Sequence, residues 1–241
     1  MGMPVTIEVV DRQVSTENIE QLYSYLSGID EQFSTYKPTS EISRLNAGTL
    51  LEDEWSDELK EVLDACEKTK QETNGYFDIH RQAKLDPSGY VKGWAIQNTA
   101  SRAKSMGLSN YYINIGGDIQ VAGHNNEGNY WVIGIRNPFN QEEIIKRVLL
   151  QNKGIATSGT YLQGEHIYNP YTSEQEHSEI VSLTVICDSV TDADRYATAA
   201  FAMGEQGIGF IASLDGFEAY QINIKGIATF TNGFNAYVLC P

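Results

Sequence analysis

Basic residues are in short supply: 17 Lys and Arg stand against 32 Asp and Glu, a formal net charge of −15 over 241 residues. No Lys/Arg cluster is dense enough to track phosphates, which argues against a nucleic-acid or anionic-membrane binder. A phosphate-bearing ligand would need a local cation. Cysteine is scarce too. Cys66, Cys187 and Cys240 are odd in number, widely spaced and without a CxxC or Cys/His pattern, so neither a disulfide framework nor a zinc site is indicated and reduced thiols fit best. No apolar run approaches about 18 residues, so no transmembrane helix is expected. The opening MGMPVTIEVVDRQ enters an alternating strand pattern without a basic n-region, an apolar h-region or a lipobox-like cysteine, and a cytoplasmic location is expected. Neither GxGxxG nor a Walker A motif occurs, which leaves the ordinary nucleotide folds unsupported. Internal repeats, low-complexity tracts and linkers are also missing.

What is present divides into an early helical part and a later hairpin part. Glu17 to Phe33 carries Ile19, Leu22, Tyr23, Leu26 and Phe33 at near-helical spacing, followed by a Pro/Ser/Thr break at Ser34 to Ser40. Asp57 to Asn74 repeats the rhythm with Leu59, Val62, Leu63 and Cys66, capped by Ser56 and ended by Gly75. A further helix is expected from Lys92 to Met106, stopped by Gly107. From Tyr111 the chain changes to short β-prone runs separated by Gly, Asn and Pro, and FEAYQINIKG with IATFTNGFNAYVL supplies two final strands. The pattern predicts an α+β fold of antiparallel sheet flanked by helices.

Ser189 to Gly204, SVTDADRYATAAFAMG, is the most informative stretch. Thr191 or Asp192 offers an N-cap, the alanines favour helix, and Gly204 is a natural stop. Asp194 and Thr198 fall about one turn apart on one face. The helix is apolar nearly all round, with only Arg195 suited to water, so it should be buried. A buried acid and hydroxyl need partners. A hard cation is one answer, since Mg²⁺ takes oxygen ligands; local capping by Asp194, with Thr198 bonded back to the Asp194 carbonyl, is another.

Other segments carry weaker signals. LDPSGYVKGWA delivers Lys92 to a helix start, where a lysine opposes the dipole unless an anion lies there; a solvated lysine would look the same. INIGGDI places a glycine pair after a β run, as a hairpin turn or a close backbone approach to a ligand. ATSGTY and HIYNP put hydroxyls and His166 near two β segments, where His166 could be a base, a phosphate contact or a wall residue.

In order along the chain, FSTYKPTSEISRLNAG, GYFDI, LDPSGYVKGWA, NIGGDI, ATSGTY, HIYNP and DADRYATAAFAMG resemble the blocks of the FAD:protein FMN transferases, the ApbE-like family. The resemblance covers nearly the whole chain and implies one T-fold-like α+β domain over residues 1–241. It implies an enzyme that binds FAD with Mg²⁺, or Mn²⁺, and transfers FMN to a threonine or serine hydroxyl of an acceptor protein, releasing AMP. By resemblance, Asp194, Thr198 and the Gly89 carbonyl hold the metal; Met1, Tyr36, Tyr76, Phe77, Asp78, Asp86 and Lys92 contact FAD; His166 is associated with transfer. Neither nucleic acid nor membrane is expected as a partner. An FAD pyrophosphatase and a non-catalytic flavin-binding protein are the competing expectations.

Three departures from the family pattern stand out. Only Ile79 to Tyr90 separates the FDI and VKGWA blocks, where a long insertion is usual. HIYNPYTS has Asn169 where an acid is common and Ser173 in place of glycine, and Thr160 follows the Ser-Gly pair where an acid is common.

Overall fold

A computed structural model describes residues 2–81, 83–160, 171 and 179–239. Within them a seven-stranded sheet has the order β1(Val5–Val9), β4(Tyr111–Ile115), β5(Asp118–Ala122), β8(Lys153–Gly159), β9(Ile180–Cys187), β10(Glu218–Asn223), β11(Ala228–Phe230). All its neighbouring strands pair antiparallel. The expected antiparallel sheet flanked by helices is what forms. Alternation in YYINI sends Tyr111, Ile113 and Ile115 into the core, while the Gly116–Gly117 pair turns the chain into β5 with φ of 61° and 105°, a two-residue hairpin that glycine enters without Cβ strain. A second hairpin, β6(Trp131–Asn137) with β7(Asn140–Leu150), shares a core with β5, β8 and β10 through Trp131, Ile133, Ile155 and Ile222.

Helices cover the other face. α1(Thr16–Phe33) starts at Ser15, whose hydroxyl accepts the Asn18 N–H while Asn18 Oδ1 accepts the Ser15 N–H. It buries Leu22, Leu26, Ile29 and Phe33, one stripe at helical spacing. The break at Ser34 to Ser40 is followed by a helix that periodicity did not announce, α2(Glu41–Asn46), capped by Ser40. Six residues are too few to show a period. α3(Asp57–Glu72) is capped by Ser56 as expected and ends two residues earlier than the spacing suggested. The shortened stretch after Ile79 forms a small hairpin, β2(His80–Arg81) with β3(Lys84–Leu85).

Two helices depart from the expected boundaries in ways that matter for function. α4(Ser88–Ser105) begins four residues before Lys92, after Asp86 Oδ1 accepts the Ser88 N–H at 3.1 Å, so Lys92 sits in the second turn. α5(Val190–Ala202) starts after Ser189, earlier than a Thr191 or Asp192 cap would allow, because Gln120 Oε1 takes the Val190 N–H from the sheet at 2.9 Å. Asp192 instead accepts from Arg195 Nε at 2.7 Å. Arg195 does not face water: it is 14% exposed and reaches Glu72 and Thr69 on α3. α6(Gly207–Ala212) follows, and the last expected strand is cut to Ala228–Phe230 before a 3₁₀ turn at Phe234–Tyr237. Among the described residues no helix is long and apolar enough to cross a membrane.

Candidate active site

The cavity opens where the start of α4, the middle of α5 and one end of the sheet meet. Its volume is about 520 Å³, within the range of small-molecule sites. One wall is the loop after α1, from Phe33 to Tyr36; Asp86, Ser88, Gly89, Val91 and Lys92 form the floor beside Asp194 and Thr198. Gly2, Met3, Gly116 and Thr157 to Gly159 close the sheet side.

The floor depends on a close crossing of α4 and α5. A Cβ on Gly93 would lie 2.7 Å from the Val190 carbonyl oxygen and 2.8 Å from Asp194 Cβ, so only glycine lets the helices approach this far. In that space the Gly93 N–H donates to Asp194 Oδ2 at 2.8 Å. Gly93 is four residues after Gly89, so the two glycines lie one turn apart on the same face of α4. Thr198 stands against Gly89, whose added Cβ would meet Thr198 Oγ1 at 3.3 Å. Asp194 therefore binds across the helix crossing, in place of the local capping that short-range chemistry allowed.

Electrostatics tightens the same corner. Asp194 and Asp118 are buried, 3% and 1% exposed, and the Lys92 ammonium lies 2.7 Å from Asp118 Oδ2 and 3.7 Å from Asp194 Oδ1. Burial works against the ammonium, but the two carboxylates outweigh it and raise the Lys92 pKa. Burial pushes the Asp194 carboxyl up, with Lys92 pulling it down and the like charge of Asp118 adding to the rise. Two buried carboxylates share one cation, so the corner is short of positive charge. Asp194, Thr198 Oγ1 and the Gly89 carbonyl are all oxygen donors, the chemistry of a hard divalent cation.

The cavity brings together Tyr36, Asp86, Gly89, Lys92, Asp194 and Thr198. Tyr36 is 90% exposed and stands at the rim. Asn46 holds the backbone of Leu85, the residue before Asp86: its side chain donates to the Leu85 carbonyl at 2.8 Å and accepts the Leu85 N–H at 2.7 Å. Tyr76, Phe77 and Asp78 are not among the lining residues. Phe77 is buried behind Gly89, with its ring 3.4 Å from where a Gly89 Cβ would lie. Tyr76 packs edge-on against Tyr171. Asp78 takes Lys70 at 2.8 Å and His80 at 2.9 Å; burial would raise its carboxyl, but these bonds outweigh burial and hold it below the usual carboxylate value. Met1 and His166 fall outside the described residues, as do Asn169 and Ser173.

Sequence reasoning passed over Asp118 and Asn46. An acid straight after a glycine turn reads as a solvated turn residue, and nothing in NIGGDI says that its carboxylate points at a helix 26 positions earlier in the chain.

Comparison with known proteins bears on the family and the fold. The ApbE family model matches residues 1–83 and 80–221. A FAD:protein FMN transferase of Vibrio cholerae is 32% identical over 162 residues, 64% of this chain and 47% of that protein, so the match spans about half of the relative's length. One of Escherichia coli K12 is 24% identical over an alignment covering 92% of this chain and 81% of the relative. Among solved structures, the flavin transferase ApbE from Vibrio cholerae superposes with a TM-score of 0.85 at 23% identity, over 98% of this chain and 96% of that one. The ApbE protein of Thermotoga maritima gives 0.87 at 20% identity, over 99% and 97%. Identities this low carry the fold.

Proposed function

This chain belongs to the ApbE family, and on that premise we propose that it moves FMN from FAD to a threonine or serine hydroxyl of an acceptor protein, releasing AMP. The observation that supports this most is the cavity floor itself, where Lys92 and the buried Asp194 stand beside Gly89 and Thr198, with the buried Asp118 paired to Lys92 behind them. Such a floor is short of one cation and suited to a pyrophosphate.

Asp194, Thr198 Oγ1 and the Gly89 carbonyl would hold Mg²⁺, and Mn²⁺ would suit the same donors. Bound there, the ion would offset charge building on the phosphate oxygens. The chain's own residues do the rest. Lys92 presents a second positive charge to the pyrophosphate, and the buried position of the cluster limits competing water. Asp86 on the floor and Tyr36 at the rim orient the nucleotide. In the transfer, the acceptor oxygen bonds to the FMN-side phosphorus, and the bond from that phosphorus to the bridging oxygen breaks. The bridging oxygen leaves on AMP. The hydroxyl proton passes to a base, for which His166 is the candidate carried by family resemblance.

On this reading residues 1–241 form one transferase domain. A cytoplasmic setting is part of the proposal, and it suits Cys66 and Cys187, which are buried and unpaired. The test is incubation with FAD, Mg²⁺ and acceptor proteins bearing exposed threonines, followed by mass spectrometry and AMP quantification. An acceptor gaining the mass of an FMN phosphoester with one AMP released per adduct is expected. FAD turnover that proceeds equally without any acceptor would instead assign a pyrophosphatase.

A further inference from the structure

Asp118 is neither a cation ligand nor a cavity-lining residue, yet it is among the most buried charged side chains described, at 1% exposed. It is the first residue of β5, directly after the Gly116–Gly117 turn. Its Oδ1 accepts the Thr157 N–H of β8 at 3.1 Å, which fixes the carboxylate relative to the sheet side of the cavity. Its Oδ2 has no hydrogen bond of acceptable geometry, but lies 2.7 Å from Lys92 Nζ. The same ammonium stays 3.7 Å from Asp194 Oδ1. Lys92 is thus shared unequally, and Asp118 has the closer share.

The inequality has a consequence for Asp194. Its Oδ2 is committed to the Gly93 N–H, so Oδ1 is the oxygen left for a cation. A lysine that closed onto Oδ1 would take that oxygen and place a positive charge where the cation has to sit. We propose that Asp118 is a positioning residue that acts through Lys92: it holds the ammonium back from Asp194, keeping the metal corner open while leaving the lysine charge facing the cavity. This rests on the reading of Asp194 as a cation ligand.

Asp118→Asn separates this role from simple support of the sheet. The amide oxygen can still accept the Thr157 N–H, but the amide N–H₂ group repels the ammonium and sends it toward Asp194. The measurement is Mn²⁺ binding by electron paramagnetic resonance, without FAD or acceptor, on wild type, D118N and the D118N/K92M double variant. D118N should bind Mn²⁺ about tenfold more weakly, the lower end of what partners behind a metal ligand contribute. Removing the lysine in D118N/K92M should restore most of the loss. A crystal structure of D118N should show Lys92 Nζ within hydrogen-bond distance of Asp194 Oδ1. Asp118→Glu, which keeps the charge but displaces it by one methylene, provides the same reading if D118N does not fold, with a smaller loss expected. Unchanged Mn²⁺ affinity in the folded variant, no rescue by K92M, or a lysine still apart from Asp194 overturns the proposal. Wild type that binds no Mn²⁺ overturns the cation reading itself and this proposal with it.

Discussion

Gly93 gives its backbone N–H to Asp194 Oδ2 at 2.8 Å, and the side chain it lacks is what lets α4 and α5 come close enough for that bond. A single residue therefore sets both the helix crossing and the orientation of the carboxylate at the cavity floor.

Gly93→Ala tests this directly. The new methyl would meet the backbone of Val190 and Thr191 at 2.7 and 3.0 Å, atoms that cannot rotate away. Overpacking of this kind costs about 1–3 kcal/mol. Urea unfolding should show that loss, and metal-dependent FAD turnover should fall further than the stability change explains, because Asp194 moves with the crossing.

Thr198→Val keeps the side-chain shape against Gly89 and removes one oxygen donor. Stability should stay within about 1.5 kcal/mol of wild type, the upper end of what one hydroxyl hydrogen bond contributes. Turnover at limiting Mg²⁺ should drop by about tenfold or more and recover in part at high Mg²⁺. Equal losses of stability and activity would mean that the hydroxyl is structural.

Lys92→Met leaves Asp118 and Asp194 buried without their shared ammonium. Removing one partner of a buried charge set costs about 3–5 kcal/mol. Denaturant unfolding of K92M should show that loss in the absence of metal, and added Mg²⁺ should return part of it, since a cation replaces the missing positive charge.

The network behind α5 has its own pH signature. Glu72 accepts from Arg195 and from Tyr196 Oη; burial would raise its carboxyl, but these bonds outweigh burial and hold it below the ordinary glutamate value of 4.5. A depressed carboxylate stabilises the fold above its unfolded pKa, and that contribution is lost as pH falls through the lower folded value. Glu72→Gln should cost about 1–2 kcal/mol at pH 7, a reduced figure for a charge-assisted bond at a partly exposed site. The gap between wild type and E72Q, followed by urea unfolding, should narrow as pH drops below 4.5.

Much of this was legible in the chain. Ser56, the Leu22–Leu26–Phe33 stripe and the YYINI alternation give their elements directly, because cap chemistry and periodicity are local signals. The Asp194 and Thr198 face was visible for the same reason. Contacts made across the fold were not. Lys92 reads as a lysine at a helix start, whereas α4 begins at Ser88, directly after the turn in which Asp86 accepts the Ser88 N–H, and Arg195 reads as solvated until α3 brings Glu72 to it. Asp118 needed the sheet and α4 in place before its partner could be known.

Flavin transfer at Asp194 is tested most directly by AMP release and acceptor mass after incubation with FAD and Mg²⁺, for wild type and for Asp194→Ala. Wild type should release one AMP for each FMN-sized gain on a threonine or serine, and D194A should do neither while still folding. An acceptor left unmodified by wild type while FAD binds intact, or a D194A variant as active as wild type, would contradict it.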